Sequence, residues 1–393
     1  MRVLMMTHNM AGLGGSFMRA HSLAKSLVML GTQVTLIASR RFPGRHWIEE
    51  EIDGVRVFQM ADLFPERVRH GGLSPLDLVG RVKHADGPYD IIHGFDHRPS
   101  VSIPALLMRQ RRQIPYVADW ADLWGKGGIA EQSDEVIRRL LGCADHYWER
   151  FVHAHADAVT AVTRNLASRA EQLGIPVKRI RLIQVGANGD VITPLSKTDM
   201  RIKHGLPEDA PIAVHSGFAP YDARLLADTF AVLAKRNPRV ILLLTGSRSR
   251  YLHELAEAAC FSDRVRHLGI VPYSRLGEIL ACGDVMLLPF SNRSINAARY
   301  PNRVGDYLAA GRPIATNRTG DLGEMVRSEG VGIVSEAEPE AFAAAIDELL
   351  AHEESQHQMG LRARTLAETR LSWSALAKHL DEFYRDLLGE RGV

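Results

Sequence analysis

The run RYPNRVGDYLAAGRPIAT, Arg299 to Thr316, decides how the chain is to be read. Pro301 suits the first turn of a helix, where its missing N–H costs nothing. Tyr307, Leu308 and Ala310 supply a packing face, Gly311 fits the C′ position, and Pro313 stops the helix before the strand RPIAT. A helix that starts here offers an anion site, with Arg303 beside it to pair with phosphate. Asp306, one turn further in, is placed to accept hydrogen bonds from a ribose diol.

Working outward, short β-branched and aliphatic runs recur on both sides. PIAVHSG (211–217), RVILLLTGS (239–247), RVRHLGIV (264–271), DVMLLPF (284–290), RPIAT (312–316) and VGIVS (331–335) alternate with helical patterns. The first half shows the same alternation: RVLMM (2–6), QVTLIAS (33–39), YDIIHG (89–94), PYVAD (115–119), AVTAV (158–162) and RLIQVG (181–186). Strands apolar on both faces and separated by helices imply parallel, helix-covered sheets. GANGDVITPLSKTDMRIKHGLPEDAP (186–211) has no clear period and reads as an interdomain linker. The expectation is an α/β protein with an N-terminal domain over 1–188 and a C-terminal domain over 189–370. A last amphipathic helix over 371–393, capped by Ser372 or Ser374, packs back on the first domain. The functional cleft is expected between the domains, at the carboxyl ends of the strands.

Bulk properties agree. A chain of 393 residues with 46% apolar and 24% charged residues supports two cores and no disordered tract. A net charge near +2 argues against nucleic acid as a partner. Cys143, Cys260 and Cys282 lack zinc spacing and read as thiols of a reducing compartment. The short apolar start and the lack of a 20-residue apolar run point to a cytoplasmic protein. The triplet Glu49 to Glu51 reads as a solvated turn.

The other glycine-rich stretch, THNMAGLGGSFMRAHSLAKSL (7–27), follows the first strand. Gly12 and Gly14 fit a dinucleotide fingerprint, but Phe17 takes the third glycine's place and no carboxylate ends the second strand. Arg40 or Arg41 would be needed for an NADP reader. A P-loop is excluded, because no Gly-Lys-Ser/Thr follows. The remaining readings are a tight strand-to-helix turn and a loop whose N–H groups approach a ligand.

The Arg299–Thr316 run resembles the nucleotide-binding segment of retaining GT-B fold glycosyltransferases, in particular family 4, where Pro-x-Lys-x-x-Glu-Tyr-Leu-Ala-x-Gly-x-Pro recurs. GGSFMRAHSLAKSLVMLGTQVTLIA is similar to that family's first glycine loop and helix. ADAVTAVTRNLASRAEQLGIPVKRIRLIQVGAN resembles the end of its N-terminal domain, and VRHLGIVPYSRLGEILACGDVMLLPFSN its base-binding region. The resemblance implies two Rossmann-like domains with parallel sheets facing across a cleft. It also implies transfer of a sugar from a UDP- or GDP-linked donor to a glycan, lipid-linked or small-molecule acceptor, with retention of configuration. A nucleotide-sugar epimerase and a non-catalytic sugar-nucleotide binder are the alternatives on the same fold.

By the resemblance, Gly269 to Val271 hold the base and Asp306 the ribose. Tyr300, Asn302 and Arg303, with Gly217 and Arg224, take the diphosphate, and Gly14 and Gly15 approach the transferred sugar's phosphate. The chain departs from the family in three places. The Glu-x7-Glu pair falls on Ala298 and Asp306, FAPYDAR leaves only Arg224 of the phosphate-binding Arg and Lys, and the N-domain histidine falls on Ala121 of DWADLWG.

On the acceptor side the catalytic candidates are Asp119 and Asp122, which follow a strand and offer a carboxylate to a sugar hydroxyl or an acceptor proton, and His97, a polar group at the end of another strand. His93, Asp96 and Trp124 are candidates for acceptor contacts. His146, Glu149 and His153 share one helix face but lack HExxH order, and no Asp-x-Asp motif appears. Neither a metal nor another cofactor is expected. VSIPALLMRQRRQ (101–113) ends in Arg109, Arg111 and Arg112, which suit either a solvated face or peripheral contact with anionic lipid.

Overall fold

The computed structural model describes residues 1–132, 136–217, 222–246, 253, 254, 257 and 261–390, with side chains left aside for 132–141. Two compact units emerge. The first comprises Met1–Val185, Ala298–Tyr300 and Trp373–Val393, and the second Gly186–Ala297 and Pro301–Ser372.

Unit 1 is built on eight strands: β1 (Arg2–Met10), β2 (Gln33–Ser39), β3 (Ile48–Ile52), β4 (Val55–Gln59), β5 (Ile91–Phe95), β6 (Tyr116–Trp120), β7 (Ala158–Ala161) and β8 (Ile180–Leu182). Their order is β3-β4-β2-β1-β5-β6-β7-β8. All pairings are parallel except β3 with β4. The Glu49–Glu51 triplet, expected in a turn, is therefore an edge strand. Exposed carboxylates on an edge discourage further strand pairing, which is the physical use of that composition.

Helix Gly15–Met29 runs from the end of β1, and Phe17, Ala20, Leu23, Ala24 and Leu27 form its buried stripe. Gly14 makes the turn into it with φ 90°, and a Cβ there would lie 2.4 Å from Asn9 Oδ1. Asn9 Oδ1 in turn accepts from Ser16 N at 2.9 Å and Phe17 N at 3.4 Å, capping the helix from the strand. The C-terminal helix Trp373–Gly389 belongs to unit 1, where Tyr384 hydrogen-bonds His93 and Asp381 accepts from Thr32.

Unit 2 carries β9 (Ile212–His215), β10 (Ile241–Leu244), β11 (Val265–His267), β12 (Val285–Leu288), β13 (Ile314–Asn317) and β14 (Gly332–Ser335), in the order β11-β10-β9-β12-β13-β14 and all parallel. Its core packs Leu226, Phe230, Leu242, Leu287, Phe342 and Ile346 around the sheet. The stretch expected as a linker is part of this unit. Its helix Lys197–Lys203 is capped by Ser196, and Arg201 is buried on Asp284 at 2.6 Å. The order reverses at β1 in one sheet and at β9 in the other. Open α/β sheets bind ligands outside the carboxyl ends of the strands at such points.

Candidate functional site

At the β9 switch point the chain reads His215, Ser216, Gly217. His215 Nδ1 donates to Leu287 O at 2.9 Å, which leaves Nε2 to accept from Arg303 at 3.0 Å. The Arg303 guanidinium is thereby held beside Gly217, whose hypothetical Cβ would sit 3.6 Å from its Cζ. Tyr307 OH accepts from Ser216 N at 2.8 Å and fixes the turn. The helix carrying these residues spans only Arg303–Ala309, and Asn302 at its N-cap makes no side-chain cap. So short a helix contributes little dipole, and the positive charge here is that of Arg303.

Asp306 receives Tyr273 OH at 2.8 Å, and Tyr273 OH accepts from Asn188 Nδ2 at 3.0 Å. Burial pushes the Asp306 carboxyl up to about 6, against the pull of Tyr273 and Arg303. The carboxylate is thus poised to accept hydrogen bonds above that pH. Gly269 spends its N–H on His267 Nδ1 at 3.1 Å and its carbonyl on Gly246 N at 2.8 Å. Its neighbour Ile270 is exposed and Val271 half-buried. Arg224 lies in an exposed first turn, 3.6 Å from Asp228, and residues 218–221 before it are outside the described residues. Asp222, which no local sequence pattern marks, is buried and accepts from Ser291 Oγ at 2.8 Å and Asn296 Nδ2 at 2.9 Å. Tyr300, expected on the diphosphate, is buried and sorts with unit 1, as do Ala298 and Arg299.

The β1 switch point in unit 1 holds His8, Asp96, His97 and Arg98. Asp96 leaves β5 at φ 96°, a conformation few non-glycine residues adopt and one that gathers at functional sites. Its carboxylate lies 3.1 Å from His97 Nδ1 and 3.4 Å from His8 Nδ1. Burial alone would raise the Asp96 pKa, but His8, His97 and Arg98 outweigh it and hold the group far down. His97 Nε2 meets Asp145 at 3.0 Å. Burial opposes charge on His97, yet Asp96 and Asp145 drive its pKa up to about 9. His97 therefore favours the imidazolium form at neutral pH, a donor on both ring nitrogens. Burial holds His8 down to about 4, so that ring is neutral.

Arg98 spans Asp145 at 3.1 Å and the face of Trp124 at 4.1 Å, which fixes the indole. The loop carrying Asp122 and Trp124 is folded by Glu149, which accepts from Trp120 Nε1, Trp124 N and Gly125 N at 2.9, 3.1 and 2.9 Å. Glu149 is thus spent on this loop, and His153 stacks on Trp120 at 4.0 Å. Among the described residues no cluster suited to a metal ion occurs. Burial first, then Asp96, raises the Asp122 carboxyl to about 7 while Arg299 restrains it. A group near neutrality can both take and return a proton.

Two further candidates have a different place. Asp119 is buried with both oxygens engaged, by Arg19 Nε at 3.0 Å, Arg19 Nη2 at 2.9 Å and Thr160 Oγ1 at 2.6 Å. Arg19 also caps the carbonyls of Ile183 and Gln184. His93 is fully buried, with Nδ1 on Tyr384 OH at 2.6 Å and Nε2 on Thr160 Oγ1 at 3.0 Å. Because Thr160 donates to Asp119, His93 Nε2 donates to Thr160 and Nδ1 accepts from Tyr384. Burial drives this His down to about 3. Asp119 and His93 therefore tie β5, β6 and β7 to the two flanking helices and offer nothing to a sugar. The one sequence signal for this network was an arginine within the apolar stripe of helix Gly15–Met29. Gly14 and Gly15 stand at the start of that helix, where Asn9 already takes the N–H groups of Ser16 and Phe17.

The basic stretch is also partly spent. Arg109 pairs with Asp157 at 2.9 Å and Arg112 with Asp86 at 3.2 Å. No described helix is long and apolar enough to cross a membrane.

Two α/β sheets, each with a switch point and charged side chains gathered at its strand ends, form the fold of the GT-B glycosyltransferases. Residues 14–186 match the glycosyl transferase 4-like domain and residues 212–352 the glycosyl transferases group 1 domain. The chain belongs to this family, the family 4 glycosyltransferases, and so transfers a sugar from a nucleotide-sugar donor with retention. It is similar to D-inositol 3-phosphate glycosyltransferase of Corynebacterium urealyticum, 29% identical over 95% of this chain and 91% of the relative. Among solved structures it resembles sucrose-phosphate synthase of Thermosynechococcus elongatus, with a TM-score of 0.78, 20% identity and 99% of each chain covered. HepE of Anabaena in complex with UDP-glucose is similar at a TM-score of 0.73 and 14% identity, with 98% of this chain and 99% of that one covered.

Proposed function

We propose that the donor's nucleotide diphosphate sits at the carboxyl edge of the unit 2 sheet. Arg303, held by His215 beside Gly217, meets the diphosphate, and Asp306, backed by Tyr273, takes the ribose hydroxyls. The Gly269–Val271 segment flanks the base through Ile270 and Val271, since Gly269 is already hydrogen-bonded. The observation that carries this reading is the Arg303 guanidinium fixed at the β9 switch point. HepE, of the same fold, binds UDP-glucose, which favours uracil over guanine here.

In unit 1 we assign acceptor and proton handling to Asp122 and Trp124, with Asp96, His97 and Arg98 as the charged frame that positions them. Asp119 and His93 support that frame from below. The related inositol 3-phosphate enzyme favours an acceptor with an anionic group. The reading includes cytoplasmic work in glycan assembly.

The test is thermal denaturation with UDP, GDP and their sugars, repeated on Arg303→Ala. UDP should raise the melting temperature more than GDP. Loss of one charge-assisted contact, about 1.5–3 kcal/mol, should weaken binding roughly tenfold to a hundredfold. Equal nucleotide binding by Arg303→Ala would overturn the assignment.

A further inference from the structure

The loop between β2 and β3, RRFPGRHWI (40–48), concentrates Arg40, Arg41, Arg45 and His46 with Phe42, Trp47 and Ile48 and contains no carboxylate. It is held in one shape from inside. Arg40 donates Nε to Phe42 O at 3.0 Å and Nη1 to His46 O. Gly44 and Asp62 exchange both backbone hydrogen bonds, at 2.7 and 2.9 Å. Arg69 donates to Arg40 O at 3.2 Å, and Trp47 rests its inner edge on Phe58 with ring centroids 5.5 Å apart.

The outer side is different. Phe42 is 69% and Trp47 58% exposed, and Arg41, Arg45 and His46 are exposed beside them. Arg41 lies over the Phe42 ring at 5.5 Å. No carboxylate of the described residues pairs with Arg41 or Arg45. The nearest acids in sequence are occupied, Glu49 by Arg56 and Glu50 by Gln59 Nε2 at 2.6 Å. Beside the loop lies a cavity of about 330 Å³, lined by Gly12, Arg40, Arg41, Phe42, Glu50 and Gln59 among others, and the Glu50 carboxylate within it makes it a poor seat for an anion.

Large rings held stiffly in water cost free energy that a folded loop ordinarily avoids by turning them in. Rings flanked by arginines that lack counter-charges suit an interface where apolar chains begin beneath anionic head groups. We infer that this loop docks on an anionic lipid bilayer, with Phe42 and Trp47 in the interface and Arg41 and Arg45 on the phosphates. The inference builds on the acceptor-side reading of unit 1 and gives the acceptor a class, a lipid-linked anion. It also moves the membrane contact away from Arg109–Arg112, whose charges are partly paired.

The test uses the full chain with vesicles of phosphatidylcholine alone or mixed with phosphatidylglycerol. The protein should sediment with the mixed vesicles, less so at high salt, and not with phosphatidylcholine. Both Phe42→Ser/Trp47→Ser and Arg41→Glu/Arg45→Glu should abolish this, and Tyr147→Ser/Phe151→Ser, on another exposed aromatic patch, should not. Brominated lipid should quench tryptophan emission of the native protein and much less that of Trp47→Phe. Nucleotide-induced stabilisation, read in parallel, should stay unchanged in every variant, which separates failure here from failure of the donor site. Absence of vesicle binding, binding indifferent to lipid charge, or binding that survives both loop variants would overturn the inference.

Discussion

At the scale of single residues, charge state decides what each group can do. Burial pushes the Asp306 carboxyl up to about 6, and in the proposed donor site only its ionised form accepts from both ribose hydroxyls. Nucleotide affinity should therefore fall as pH drops below about 6, and Asp306→Asn should flatten that dependence in a calorimetric pH series. Asp122 presents the reverse case for stability. Its folded pKa of about 7 exceeds the ordinary carboxylate value, so the native state binds the extra proton between roughly pH 4 and 7. Stability contributed by this group is lost as pH rises through that window. Asp122→Asn should then melt higher than the native chain at pH 8 while its transfer rate collapses. A rate unaffected by this substitution would remove Asp122 from the proposed chemistry. The sequence placed Asp122 after a strand and Asp306 in a first helical turn, but their states follow from burial, raised further by Asp96 and restrained by Arg299 and Tyr273, which all arise only in the fold.

At the scale of elements, the buried network of Arg19, Asp119, Thr160, His93 and Tyr384 joins two helices to three strands. Breaking a buried ion pair by removing one partner leaves an uncompensated charge and costs about 3–5 kcal/mol. Arg19→Ala should accordingly lower the denaturation midpoint far more than Tyr384→Phe, which loses one hydrogen bond, about 1 kcal/mol. Equal effects in denaturant titrations would show that the ion pair is not the stronger tie. In unit 2 the short helix Arg303–Ala309 sits against the chain at Gly186, where a Cβ on Gly305 would lie 2.2 Å from Gly186 O. Gly305→Ala must displace that helix and Arg303 with it, so both stability and nucleotide binding should fall. Helical periodicity revealed this element, but its brevity and its close backbone contact were invisible in one dimension.

For the whole molecule, a donor that binds only the native state stabilises by mass action, about 2.7 kcal/mol at a hundred times its dissociation constant. Apart from the antiparallel edge strand β3, the alternation of apolar strands and amphipathic helices determined by itself that the chain forms two parallel α/β sheets, because period and length suffice to bury both faces of such strands. It also determined the family, through the Arg299–Thr316 run and the three stretches that accompany it. Only the tertiary structure decided which polar residues are spent and which remain for chemistry. Asp119, His93 and Glu149 look as reactive in sequence as Asp122 does. Burial and partners drawn from distant helices and strands set them apart, and such partners, here up to 291 residues away in the chain, leave no mark on local pattern. The same holds for the loop Arg40–Ile48, whose rings face outward because Arg40, Asp62 and Phe58 secure the loop from behind.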